Sequence, residues 1–182
     1  MNETFSQRQR VCRRTYQSSL FPRLEPHRRF VVHLHQATTL HYDFRFELGN
    51  ALRDFVIPKG PSTNPLIRRL ALSMRDHAKS LLDFEGRIQP QRYGAGPLLM
   101  WDAGLIVPLG SPSVSHDEAM WIGLECGYLE FGLIGRKLRG TWRLYRECER
   151  WFLQKLQDEY ASAHDVRLDG YSIATGRTID QL

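Results

Sequence analysis

Arg29 to Leu48 reads R-F-V-V-H-L-H-Q-A-T-T-L-H-Y-D-F-R-F-E-L, and its parity decides the fold. From Leu40 to Leu48, apolar and polar residues alternate without a fault. Successive side chains of a strand face opposite sides, so Leu40, Tyr42, Phe44, Phe46 and Leu48 make one face and His41, Asp43, Arg45 and Glu47 the other. Phe30, Val32 and Leu34 extend the apolar face, while Val31, His33 and His35 extend the second. A wet strand face ordinarily carries Lys, Thr and Glu. Three imidazoles beside two carboxylates and an arginine form a composition that asks for chemistry.

Two physical readings fit that face. Alternate strand residues lie roughly 7 Å apart at Cα, close enough for neutral imidazoles and a carboxylate to converge on one divalent ion. Arg45 would then hold an anionic oxygen bidentately beside it. The other reading is a solvated face carrying only a His-Asp-Arg hydrogen-bond ladder.

Outward from this stretch the chain keeps reading as short strands. Gly49-Asn50 is a turn signal and Leu52 to Ile57 its return strand, followed by a rigid loop at Pro58 to Ser62. Arg69 to His77 alternates, with Leu70, Leu72 and Met74 expected inward and Arg69, Ala71, Ser73, Arg75 and His77 opposite. Asp83 to Gly104 is rich in glycine, which suits close approach of the backbone to a ligand. Leu98 to Met100 and Ile106-Val107 flank Trp101 to Gly104 as an expected hairpin. Ser111 to Met120 reads as a polar connection, and Met120 to Leu124, Tyr128 to Ile134 and Gly140 to Tyr145 read as strands. Glu147 to Ser162 tolerates a helix, but the alternation of Trp151, Leu153 and Lys155 favours a strand paired back on its predecessor. The fold expected is mostly β: a compact closed or nearly closed β-barrel with short peripheral helices or loops.

The 182 residues suffice for one domain with a core. They divide into a basic arm at 1–28, the barrel at 29–163 and a polar tail at 164–182. The formal charge of +5 favours a polyanionic partner, and the arginines of the arm would either track phosphates or be merely solvated. Cys12, Cys126 and Cys148 are scattered without metal-ligand spacing, which suits reduced thiols. No apolar run approaches a bilayer span and no signal peptide is expected, so the expected location is the cytoplasm, without a membrane partner.

The motifs also resemble a family. The quoted stretch is similar to the opening of the 3′-phosphoesterase domain of bacterial ligase D, a multi-domain end-joining DNA ligase. The similarity continues through F-V-I-P-K-G-P-S (Phe55 to Ser62), R-L-A with D-H (Arg69 to His77), D-F-E-G-R-I (Asp83 to Ile88) and Y-G-A-G (Tyr93 to Gly96). It then runs through W-D-A-G (Trp101 to Gly104), G-R-K-L-R-G-T-W-R-L (Gly135 to Leu144), Trp151 to Ala161 and A-T-G-R-T-I (Ala174 to Ile179).

The resemblance implies a barrel whose concave side holds metal and phosphate. It implies removal of a 3′-terminal ribonucleotide and of a 3′-phosphate from a DNA primer strand, leaving a 3′-OH for end joining. His35, His41 and Asp43 match the metal ligands, with Mn2+ the ion implied, although other first-row divalent ions suit the same donors. Arg45, Arg69 and His77 match the phosphate-contacting catalytic residues, with His77 a candidate proton donor to the leaving oxygen. His33 replaces a glutamine and would add a ligand or a hydrogen bond. Glu25 matches an acidic residue of the arm that helps shape the site. The partners implied are primer-template 3′ ends and a separate ligase, polymerase or end-binding protein.

Three departures bear on activity: Ser19-Leu20 replace an arginine-aspartate pair, Leu81 replaces a tyrosine, and Ile88 to Gly94 has drifted. They keep open a second reading, a DNA-end-binding module without catalysis. A third, an iron- and oxoglutarate-dependent oxygenase built on His41, Asp43, His77 and Arg87, has too little chain before His41 for that fold.

Overall fold

A computed structural model describes residues 28–110 and 114–182. Glu25, Ser19, Leu20 and nearly all of the basic arm lie outside the described residues. Nine strands form one antiparallel sheet: β1 (Arg28–Gln36), β2 (Leu40–Leu48), β3 (Ala51–Ile57), β4 (Arg68–Ser73), β5 (Gly86–Ile88), β6 (Gly96–Pro108), β7 (Tyr128–Gly135), β8 (Arg139–Glu147) and β9 (Arg150–Lys155). The order β1-β2-β3-β4-β9-β8-β7-β6 closes on itself through β1–β6, giving an eight-stranded barrel with β5 as a flap on the edge of β6. Closure removes the exposed sheet edges that invite aggregation.

The apolar parity of the opening stretch fills the barrel. Phe30, Phe44, Phe46, Phe55, Trp101, Phe131, Trp142 and Leu153 belong to one cluster drawn from around the wall. Each such aromatic or leucine contributes about 1.5–3 kcal/mol by leaving water. Only Leu40, at the start of β2, departs from the inward set and is exposed. The Gly49-Asn50 turn sets Leu48 opposite Ala51. The β8–β9 turn has Cys148 and Glu149 at positive φ, as a tight two-residue hairpin requires.

The structure corrects three sequence expectations. In β4 the parity is reversed: Ala71 is buried, while Leu70 and Leu72 are exposed. Ala71 lies opposite Trp151, whose ring meets Phe55 edge-on at 5.7 Å, so only a small side chain fits inward there. Trp101 to Gly104 is no hairpin but the middle of the 13-residue β6. The Asp102 carboxylate accepts hydrogen bonds from the backbone N–H of Arg136, Lys137 and Leu138 at 2.9, 3.1 and 2.8 Å, fastening the β7–β8 turn. Gly104 lets the carbonyl of Ile134 approach its α-carbon.

The third correction is the helix α1, His116–Cys126, which absorbs the expected strand at Met120 to Leu124. Ser115 accepts from the Glu118 N–H at 3.2 Å, and Gly127 ends the helix in the left-handed region. Residues 164–182, expected as a polar tail, lie along the barrel. Val166 joins the core, and Glu85 accepts hydrogen bonds from Ser172 and Thr175. No helix among the described residues is long and apolar enough to cross a membrane.

Candidate metal centre and active site

The polar parity of β1–β3 faces out from the barrel wall, opposite to the core. Residues 74–94 roof it and enclose a cavity of about 550 Å³, a size typical of ligand sites. Cross-strand register builds the floor. His35 lies directly opposite His41, His33 opposite Asp43 and Arg45 opposite Asp54.

His35, His41 and Asp43 each offer one ligand atom, all within 4.8 Å of one another. Backbone carbonyls fix both rings. His35 Nε2–H donates to the Gly94 carbonyl at 2.8 Å, and His41 Nδ1–H donates to the Thr39 carbonyl at 2.8 Å. The remaining nitrogens, His35 Nδ1 and His41 Nε2, each face an Asp43 oxygen at 3.2 Å. Neutral rings in these tautomers point two lone pairs at a carboxylate, so without a cation the set needs a further proton, which His41 Nε2 can take. Consistent with that, the hydrogen bond to Asp43 raises the His41 imidazole above its ordinary pKa. Burial works against the Asp43 charge, but hydrogen bonds from His35 and His41 and the Arg45 charge outweigh it and hold the carboxyl below its usual range. One anionic oxygen donor, two neutral nitrogens and outer carbonyls that select the tautomer are what a first-row divalent ion requires, and the set fits one. Gly94, at φ +73°, lets the loop reach His35, since a β-carbon there would sit 3.3 Å from Cε1.

Arg45 is the hub beneath. Its Nη2 donates to Asp43 at 2.7 Å, Nε to Asp54 at 3.1 Å and Nη1 to His33 Nδ1 at 2.9 Å. His33 in turn donates from Nε2 to the Phe84 carbonyl at 3.0 Å. Both ring nitrogens of His33 are therefore engaged, and it supplies hydrogen bonds, not a further metal ligand. Complete burial, with the Arg45 charge beside it, pushes its pKa down to about 3. His77 is held by backbone pairing with Leu52 and by its Nε2 at 3.1 Å from Asp54.

His35, His41, Asp43, Arg45 and His77 thus line one cavity, with Leu81 in its wall. Arg69 does not join them. It projects from the inward parity of β4, where burial and the Arg167 charge lower its pKa and Asp165 partly compensates. Sequence reasoning missed Asp54, which orients both Arg45 and His77. Counting back from the Gly49-Asn50 turn sets it opposite Arg45, and that signal was available. It also missed Arg75, Arg87, Arg92 and Tyr93 in the roof, for which no periodicity gives a signal.

An outward-facing His-His-Asp set that could hold a divalent ion thus lies beside a buried arginine and a carboxylate-oriented histidine on a closed antiparallel barrel. Residues 33–146 match the DNA ligase D 3′-phosphoesterase domain, and the chain belongs to that family. It is 42% identical over 142 residues to the multifunctional non-homologous end joining protein LigD of Pseudomonas aeruginosa, covering 75% of this chain and 16% of that protein. The corresponding DNA repair protein of Mycobacterium tuberculosis is 30% identical over 131 residues, 71% of this chain and 16% of its own length. That of Mycolicibacterium smegmatis is 31% identical over 140 residues, 72% and 17%. The chain therefore spans about one sixth of the length of these relatives.

Proposed function

We propose that the protein is a metal-dependent DNA 3′-phosphoesterase that heals 3′ ends for non-homologous end joining in the bacterial cytoplasm, acting beside a separate or linked ligase or polymerase. The observation that carries this reading is the convergence of His35 Nδ1 and His41 Nε2 on Asp43, each ring set by a backbone carbonyl. His35, His41 and Asp43 would hold the ion, with Mn2+ proposed. When bound, the metal supplies Lewis-acid stabilisation of charge on a phosphoryl oxygen. Arg45 lines the same cavity and has two N–H donors beyond its three internal hydrogen bonds, which would serve a second oxygen. Asp54 holds His77 so that the imidazole can give a proton to the leaving oxygen at the 3′ end.

The test is a labelled primer-template ending in a 3′-ribonucleotide or a 3′-phosphate, incubated with protein and Mn2+ and resolved on a gel. Conversion to a 3′-OH product by wild type and not by His41→Ala is expected. Leu81 favours the second reading, a DNA-end-binding module. It lines the cavity where the family carries a phenol, and an isobutyl group donates no hydrogen bond. Binding of 3′-phosphate ends without turnover under any divalent metal would select that reading.

A further inference from the structure

The cavity holds more positive charge than a metal-bound phosphate needs. Asp43 and Asp54 are already matched by Arg45 and by histidines. Arg75 and Arg92 line the same cavity with no ion pair and no side-chain hydrogen bond among the described residues. The Arg75 guanidinium lies over Tyr93, 4.9 Å from the ring centroid. Tyr93 is 73% exposed, unusual for an aromatic ring at the mouth of a cavity. It also adjoins Gly94, whose carbonyl accepts a hydrogen bond from His35, so the backbone beside it is tied to the floor.

We infer that Tyr93 and Arg75 form a nucleotide subsite, in which Tyr93 stacks the base preceding the scissile 3′ phosphate and Arg75 takes that nucleotide's 5′ phosphate. This rests on the proposed phosphoesterase reading for the identity of the bound end. An exposed ring beside an unneutralised guanidinium is the pairing that single strands use, since every base has a π-face and every linkage an anion. The roof is hydrogen-bonded to the floor at Phe84 and Gly94, and the subsite has the terminal nucleotide enter beside it unpaired, with its base free to stack. The subsite therefore selects for a nucleic-acid end over a free phosphate ester while remaining indifferent to which base is present.

A chemical double-mutant cycle tests it by fluorescence anisotropy, with chelator present so that no turnover occurs. The probe is a labelled oligonucleotide ending in a 3′-phosphate, either intact or with an abasic residue at the terminal nucleoside. Wild type should lose about tenfold or more in affinity on the abasic probe, as expected for one stacked base. Tyr93→Ala should bind the intact probe as weakly as wild type binds the abasic one and lose nothing further on the abasic probe. Tyr93→Phe should restore the difference. Arg75→Ala should lower the slope of log affinity against log salt by about 0.7 on a single strand. Additive losses in Tyr93→Ala, an unchanged salt slope in Arg75→Ala, or absence of any oligonucleotide binding by wild type would each overturn the subsite. Failure of wild type to release phosphate in the gel assay would instead count against the proposed function and leave these binding results readable.

Discussion

Replacing His33 with alanine tests whether the floor and roof of the site are one hydrogen-bonded unit. The imidazole is fully buried and bridges Arg45 Nη1 to the Phe84 carbonyl. Its removal leaves a charged donor and a carbonyl unsatisfied, each costing about 1–3 kcal/mol, with the charged group at the upper end. Adding the lost packing, the expected destabilisation is about 3–5 kcal/mol. For a chain of this size that lowers Tm by roughly 10 °C or more. Glutamine can accept from Arg45 with its oxygen and donate to Phe84 with its nitrogen, so His33→Gln should cost less than about 1.5 kcal/mol. Urea denaturation with chelator present, fitted with a shared slope, measures both variants without any contribution from bound metal. Should His33→Ala fall within about 1 kcal/mol of wild type, or His33→Gln prove as damaging, the bridge is not what holds this wall and roof together.

Three further outcomes follow from the placement of individual side chains. His41→Ala and Asp43→Asn should abolish tight Mn2+ binding in a spectroscopic titration while keeping the barrel folded, because neither residue is in the hydrophobic core and the amide oxygen still accepts from Arg45 Nη2; an undiminished site in either variant refutes the ligand set. Arg69→Ala should leave the metal affinity unchanged and alter 3′-phosphate release by less than about tenfold, since one lost transition-state donor costs on the order of 10²-fold; a larger loss would show that the β4 arginine reaches the substrate after all. Leu81→Tyr restores a phenol to the cavity wall and should raise kcat with little change in KM, the pattern of an interaction made mainly in the transition state; equal kcat in the two proteins would dismiss Leu81 as a cause of slow turnover.

The floor of the site was legible because strand parity is local. His33, His35, His41, Asp43 and Arg45 share the face opposite Phe30, Phe44 and Phe46, and nothing distant alters that. The inversion at β4 was not legible, because it depends on Trp151 from the far end of the chain occupying the space opposite Ala71. Helix α1 was misread since Met120 to Leu124 is a short apolar run that composition cannot assign, although Ser115 followed three residues later by Glu118 marks a helix start. The roof was marked only at Leu81, through the resemblance; Arg75, Arg87 and Tyr93 reach the cavity by loop packing without any repeat and were not legible. Arg69 is named by the motif match but does not line the cavity; the nearby charges that act on it are those of Arg167 and Asp165.

The short flap β5 is joined to β6 through three residue pairs, Gly86 with Leu98, Arg87 with Pro97 and Ile88 with Gly96. The seam is only three pairs long, and among the described residues β5 has no strand on its other side. The other side of β6 is bound along most of its length to β1, as part of the closed wall. Local opening at β5 therefore costs far less than breaking the barrel, and amide hydrogens of 86–88 should exchange through a separate, low-energy fluctuation while those of β1 and β6 wait for global unfolding. The roof can thus open on the timescale of a loop movement, without any excursion of the fold that positions His35, His41 and Asp43.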